Sequence, residues 1–223
     1  MSDLPGTPTD ESSARSWVGS LPGIDAAALD RLGMLNVMLR EENQRQNLVS
    51  ASSLDNMWLR HFADSAQLLC HLPEPFIGPW LDLGTGAGFP GLVVAALRPR
   101  LPVVLVESRS RRIEWLQRAA SALDLPNVEV IGTRLEQVET FEASAISARA
   151  FAPLDRLLDL SARFSTSDTI WLLPKGRSAR DEVAGLAGWD HLFHVEQSLT
   201  DPDSGIITGR LNGPLAGKKA RSR

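Results

Sequence analysis

The chain has 223 residues, of which 43% are hydrophobic and 22% charged, with a net charge of −4. That balance suits one soluble globular domain with a well-buried core and excludes a fibrous or disordered chain. The negative net charge argues against a protein that coats nucleic acid without specificity. The single cysteine, Cys70, excludes an internal disulfide and a cysteine-built metal site.

Residues 1–20, rich in Ser, Thr, Pro and Asp, read as a flexible lead-in. Their first part carries Asp3, Asp10 and Glu11 without a basic residue and lacks the apolar stretch of a signal peptide. No apolar run approaches the length of a membrane span, so a cytoplasmic location is expected. Over 25–44, Leu29, Leu32, Leu35 and Leu39 recur at helical spacing, and over 54–71 so do Leu54, Trp58, Phe62 and Leu69. Pro73 and Pro75 end the second helix.

Beyond Pro79 the pattern changes to short apolar strands, expected over 80–83, 103–107, 128–131, 145–147 and 169–173. Helices alternate with them over 91–97, 109–123, 154–164 and 179–187. Parallel strands need long crossovers, so this alternation predicts an α/β, doubly wound, mostly parallel sheet. Segments 194–199 and 205–211 flank Asp201-Pro202-Asp203 and read as a C-terminal antiparallel hairpin. A helical part (21–75) and a Rossmann-like core (79–213) then make one domain over 21–213, followed by a basic flexible tail (214–223). The tail holds Lys218, Lys219, Arg221 and Arg223; a second basic cluster, Arg109, Arg111, Arg112 and Arg118, reads as a solvated helix face. By fold analogy, a parallel core closed by a hairpin is the class I methyltransferase architecture.

The strongest local signal is the run 81–91, which leaves a strand and enters a helix. Gly84, Gly86, Gly88 and Gly91 let the backbone turn tightly and approach a ligand. Gly86-x-Gly88-x-x-Gly91 also satisfies a dinucleotide fingerprint, which leaves an NAD-linked oxidoreductase in play. Asp82 weighs the other way: a carboxylate two residues ahead of the first glycine repels a pyrophosphate but suits the ammonium and sulfonium of S-adenosylmethionine. Asp82 can equally cap loop amides. Glu107, at the end of the second strand, can accept hydrogen bonds from ribose hydroxyls of either cofactor. His61, Asp64 and Ser65 share a helical face, which fits either a pocket wall or a structural histidine.

These elements carry further motifs: Asn47-Leu48, His61-x-x-Asp64-Ser65, the glycine run 84–91, Arg134-x-Glu136, Ala148-Arg149-Ala150-Phe151 and Leu173-Pro174-Lys175-Gly176. In this order the chain resembles the guanine-N7 methyltransferases of bacterial small-subunit ribosomal RNA, also called the glucose-inhibited division protein B family. The resemblance runs from the first helix to the terminal hairpin. It implies S-adenosylmethionine as cofactor and 16S ribosomal RNA, or the small ribosomal subunit, as substrate. It places cofactor contacts on Gly84, Phe89, Leu135, Glu136 and Arg149, with Glu107 at the acidic strand tip.

Taken singly, Phe89 and Leu135 fit core packing as well, and Glu136 fits a solvated acid. Guanine N7 has a free lone pair, so transfer needs placement more than a base. Asp64 is expected to ease the positive charge of the product, and Arg149 and Lys175 to hold RNA phosphate or the cofactor carboxylate. No metal site is expected, since His61, His71, His191 and His194 form no ligand cluster; a monomer is expected. An oxidoreductase and a catalytically silent RNA-binding protein are the competing readings. The first lacks a Tyr–Lys pair, because the chain has no tyrosine; the second leaves the glycine loop without a role.

Overall fold

A computed structural model describes residues 6–217. Its strands are β1 (Trp80–Leu83), β2 (Val103–Val106), β3 (Val128–Ile131), β4 (Ala145–Ala148), β5 (Ile170–Lys175), β6 (Trp189–His191), β7 (His194–Gln197), β8 (Gly205–Gly209) and β9 (Leu211–Pro214). Among the described residues, one sheet has the order β3-β2-β1-β4-β5-β8-β7, and β6 pairs with β9 separately. β1 to β5 run parallel, while β8 is antiparallel to both β5 and β7. The doubly wound α/β sheet with its antiparallel end is therefore present. From β1 the chain winds outward through β2 and β3, then returns to lay β4 on the other side of β1. Ligands of open α/β sheets sit at such a reversal, beyond the carboxyl ends of the strands.

The helices are α1 (Glu11–Ser20), α2 (Ala26–Asn43), α3 (Ala51–Leu54), α4 (Asp64–Ala66), α5 (Gly91–Leu97), α6 (Ser110–Ala122), α7 (Leu154–Ser161) and α8 (Ala179–Ala184). One apolar cluster joins α1, α2, α5 and α6 to one sheet face, and a second packs α7 against the other. All seven residues of α5 are buried, which explains why its sequence has no polar face. β1, buried at every position, is equally without alternation, as a central parallel strand should be.

The expected flexible lead-in over 1–20 is corrected from Glu11 onward. Asp10 and Ser13 form a reciprocal capping box, and α1 buries Ala14, Trp17 and Val18. Those three lie at i, i+3 and i+4, a one-sided stripe narrow enough to be obscured by the serines between them. The single helix expected over 54–71 is also broken. A π-helical segment (Trp58–Ala63) follows α3, and a 3₁₀ turn (Gln67–His71) follows α4. The strand expected over 205–211 divides at Gly209 and Arg210, because β9 leaves the main sheet to pair with β6. Of the expected tail, Pro214 belongs to β9, whereas Lys218, Lys219, Arg221 and Arg223 lie outside the described residues. Among the described residues no helix is long and apolar enough to cross a membrane.

Candidate active site

The pleat of β1 sends Trp80 and Asp82 to the same face, the one covered by α5. Asp82 is fully buried there. It accepts a hydrogen bond from the Gly91 amide at the start of α5 (3.0 Å) and another from the Ser147 hydroxyl on β4 (2.7 Å). Ser147 in turn accepts from the Trp80 indole at 2.8 Å. Gly91 has to be glycine for this packing, because a Cβ would overlap the Leu105 side chain and press on the Asp82 carboxylate. Asp82 thus takes the capping role left open for it in the sequence and locks α5 to β1 and β4. Burial pushes its carboxyl up to about 6, against hydrogen bonds from Ser147 and Gly91 that favour the charged form.

Around the carboxyl ends of the strands, the expected residues do gather. Gly84, Gly86 and Gly88 follow β1, all with positive φ. At Gly84 the requirement is double, since φ is +62° and a Cβ would run into the Phe151 ring, which lies across the loop. Glu107 follows β2 and is buried. One of its carboxylate oxygens accepts from the amides of Ser108 and Arg109 (2.7 and 2.9 Å). The other accepts from Gly86 (3.2 Å) and faces Arg112 at 3.7 Å. Leu135 and Glu136 follow β3 on a 3₁₀ turn; Leu135 is core, and Glu136 is exposed. Phe89 is 2% exposed and packs inside rather than lining an open surface.

Arg149 follows β4 and connects this half of the site to a second one. Its guanidinium lies 5.0 Å from the Phe89 ring centroid, contacts His61 Nδ1 at 3.1 Å and pairs with Asp64 at 3.4 Å. His61 stacks on Phe89 with ring centroids 4.6 Å apart and planes within 8°. An arginine only donates, so His61 must accept at Nδ1 and carry its proton on Nε2. Burial, reinforced by the charges of Arg149 and Arg60, depresses the His61 pKa to about 3. Asp64 also accepts from Gln67 and Thr200, each at 2.9 Å, and Gln67 accepts from the Leu199 amide at 2.8 Å. Arg60 pairs with Asp201 at 2.9 Å. The π-helical segment and the β7–β8 turn are thereby tied together, and they line a cleft of about 480 Å³ with residues 48–50, Ser53 of α3 and the ends of β4 and β5.

Sequence reasoning found His61, Asp64 and Arg149 but missed Arg60, Gln67, Thr200 and Asp201, whose partners lie more than 130 positions away. Ser65, expected on the same wall, is buried and absent from the cleft lining. Lys175 lines the same cleft, at the end of β5. Its ammonium donates to Glu182 and to the Ala152 carbonyl, both at 2.9 Å, and its side chain is only 10% exposed. Glu182 also accepts from the Leu154 amide at 2.8 Å. Despite burial, hydrogen bonds from Lys175, Ser178 and Leu154 hold its carboxyl below the usual range. The pair fastens the loop after Arg149, and Lys175 lines the cleft with two of its three donors already engaged.

Asp82 and His61 impose opposite pH dependences on stability. Asp82 holds its proton more tightly folded than unfolded, so its contribution favours the fold below pH 3.8 and is lost as pH rises through about 6. His61 binds a proton less readily when folded, so its contribution is lost as pH falls from 6.5 towards about 3. Asp82→Asn removes the first slope and leaves the second. Its unfolding free energy is expected to rise between about pH 4 and 6 by on the order of 1 kcal/mol more than that of the wild type. Parallel curves in urea titrations would contradict this assignment of the Asp82 proton.

Residues 29–197 match the family model for rRNA small subunit methyltransferase G. The chain belongs to that family. A ribosomal RNA small subunit methyltransferase G of Novosphingobium aromaticivorans is 57% identical over 212 residues, covering 94% of this chain and 90% of the relative. The same-named protein of Erythrobacter litoralis is 57% identical over 201 residues, covering 90% and 96%. Among solved structures, a SAM-dependent methyltransferase from Aquifex aeolicus superposes with a TM-score of 0.57 at 13% identity, covering 78% of this chain and 97% of that one. M. jannaschii TYW2 in complex with AdoMet gives 0.54 at 12% identity, covering 76% and 80%. At such identities the structures speak for the fold, and the family rests on the sequence matches.

Proposed function

We propose that this chain transfers the methyl group of S-adenosylmethionine to N7 of a guanosine in 16S ribosomal RNA of the small subunit, acting as a monomer. The observation that carries the reading is Arg149, which joins a glycine-loop half of the site to a polar cleft inside a chain of the rRNA methyltransferase G family. The glycine loop fits the cofactor: its backbone is left-handed where side chains are missing, and the buried Glu107 stands across from it at the end of β2. Gly84, Gly86, Glu107, the backbone at Leu135 and Glu136, and Arg149 would hold it. When bound, S-adenosylmethionine supplies an already activated methyl group.

The protein's own residues then have to place a guanine. N7 needs no deprotonation, and His61, whose proton is fixed on a buried Nε2 by Arg149, takes no part as a base. Phe89 and His61 form a stacked wall that fixes where the guanidinium of Arg149 stands. Arg60 and Arg149 offer donors to RNA phosphate or to base acceptors, and the cleft floor of Asp64 and Thr200 offers acceptors. The methylated guanine is cationic, and the Asp64 carboxylate on the cleft wall is an anionic group placed to ease that charge.

Asp64→Asn is expected to lower turnover by about tenfold or more while leaving cofactor affinity within about twofold. Unchanged turnover would remove Asp64 from the mechanism. The activity itself is tested in cells. Deleting the gene should remove one 7-methylguanosine from 16S RNA, and re-expressing the wild-type chain, but not an Arg149 variant, should restore it. An unaltered 16S methylation pattern would overturn the proposal. We take the folded domain to start at Glu11 rather than at residue 21, since α1 packs into the same core.

A further inference from the structure

α1 lies ahead of the segment that matches the family model, which begins at residue 29. Its first residue nevertheless reaches the helical run that forms one wall of the substrate cleft. The helical run that presents Arg60, His61 and Asp64 starts after the turn at 55–57, where its leading amides have no partner one turn earlier. Glu11 supplies one. Its two carboxylate oxygens accept separately from the amides of Trp58 (3.0 Å) and Leu59 (2.8 Å), 47 and 48 residues away. An anion at the start of a helix is favoured by the local dipole, and bonds from amides to a carboxylate are stronger than those between neutral groups.

A second contact runs beside the first. The guanidinium of Arg15, one turn along α1, sits 5.3 Å from the Trp58 ring centroid. Trp58 meets Phe62 edge-on at 5.0 Å, and Phe62 lies 6.2 Å from Phe89, the ring on which His61 stacks and over which Arg149 sits. An unbroken line of packed groups thus joins α1 to both halves of the site. The segment it supports is π-helical, a geometry found mostly as short stretches at functional positions and in need of outside support.

We propose that Glu11 is a positioning residue for the substrate half of the site, fixing the start of the helical run whose Arg60 and His61, in the π-helical segment, and Asp64, at the head of α4, form the cleft wall. This rests on the reading of that cleft as the guanosine site. Glu11 touches neither substrate nor cofactor; it acts through the two amides it holds.

The test compares the wild type, Glu11→Ala and Glu11→Gln as full-length proteins. Hydrogen exchange at single-residue resolution is followed without RNA, and methyl transfer is then measured on small subunits. In Glu11→Ala the amides of Trp58 and Leu59 should exchange about tenfold faster while those of α6 stay unchanged. The KM for the subunit should rise about fivefold or more with S-adenosylmethionine affinity within about twofold, and Glu11→Gln, which keeps one acceptor oxygen, should recover part of the loss. In combination with Asp64→Asn the effect should be less than additive, because both changes act on one segment.

Unchanged exchange at Trp58 and Leu59 would overturn the assignment whatever the RNA assay shows. So would faster exchange with unaltered KM and kcat, or an equal loss of cofactor affinity. A wild-type protein that methylates no subunit counts against the proposed function instead, and leaves the Glu11 assignment to be decided by exchange.

Discussion

Arg149→Met is expected to lower methyl transfer by about a hundredfold or more while the protein stays folded. The guanidinium stands at the junction of four elements: it leaves β4, lies over Phe89 of the glycine loop, and contacts His61 and Asp64 of the helical wall. Its removal deprives Asp64 of its cationic partner and frees the His61 ring to turn. An error of about 1 Å in placing a nucleophile costs a reaction of this kind on the order of a hundredfold. Arg149→Lys should be nearly as damaging. An ammonium is a point charge and cannot serve an imidazole nitrogen, a carboxylate and an aromatic face together as a planar fork does. Single-turnover transfer at saturating S-adenosylmethionine separates this effect from weakened cofactor binding. A lysine variant with wild-type rates would mean that charge alone matters at this position.

Gly91→Ala should destabilise the fold by about 2–3 kcal/mol, more than Gly84→Ala does. The added carbon enters the space of the Leu105 side chain and crowds the Asp82 carboxylate, both fully buried. Neither can withdraw: Leu105 is in the middle of β2, and Asp82 is held by Ser147 and by the Gly91 amide itself. Gly84→Ala offers the contrast. There the obstruction is a half-buried Phe151 ring on a loop, which can swing aside, so the cost falls on the left-handed backbone and on the cofactor site. Urea unfolding of the two variants should rank Gly91→Ala as the less stable, and cofactor titration should rank Gly84→Ala as the weaker binder relative to its stability. The reverse order in unfolding would mean that the start of α5 is not packed tightly against Asp82 of β1 and Leu105 of β2.

Much of the fold was legible because the central strands and α5 are buried on all sides and their sequences are continuous apolar runs. The site region was legible for a related reason: left-handed glycines and acidic strand tips are local requirements of the chain. What escaped sequence reasoning depends on distant partners. Asp82 looks the same in sequence whether it faces a ligand or the Gly91 amide; the Ser147 hydroxyl, 65 residues on, decides it. Lys175 looks like a free lysine until Glu182 is folded back upon it. α1 presents one narrow apolar stripe among serines, and β6 and β9 are three and four residues long, too short for a periodic signal. The π-helical segment kept its apolar face buried, so its residues were placed correctly although its winding was not.

The most direct test of the central claim is transfer of labelled methyl from S-adenosylmethionine to purified 16S RNA and to intact small subunits, followed by digestion and identification of the labelled nucleoside. Label is expected in 7-methylguanosine at a single site, dependent on Arg149. Label in any other nucleoside, or none on either substrate with the cofactor bound, would contradict that claim.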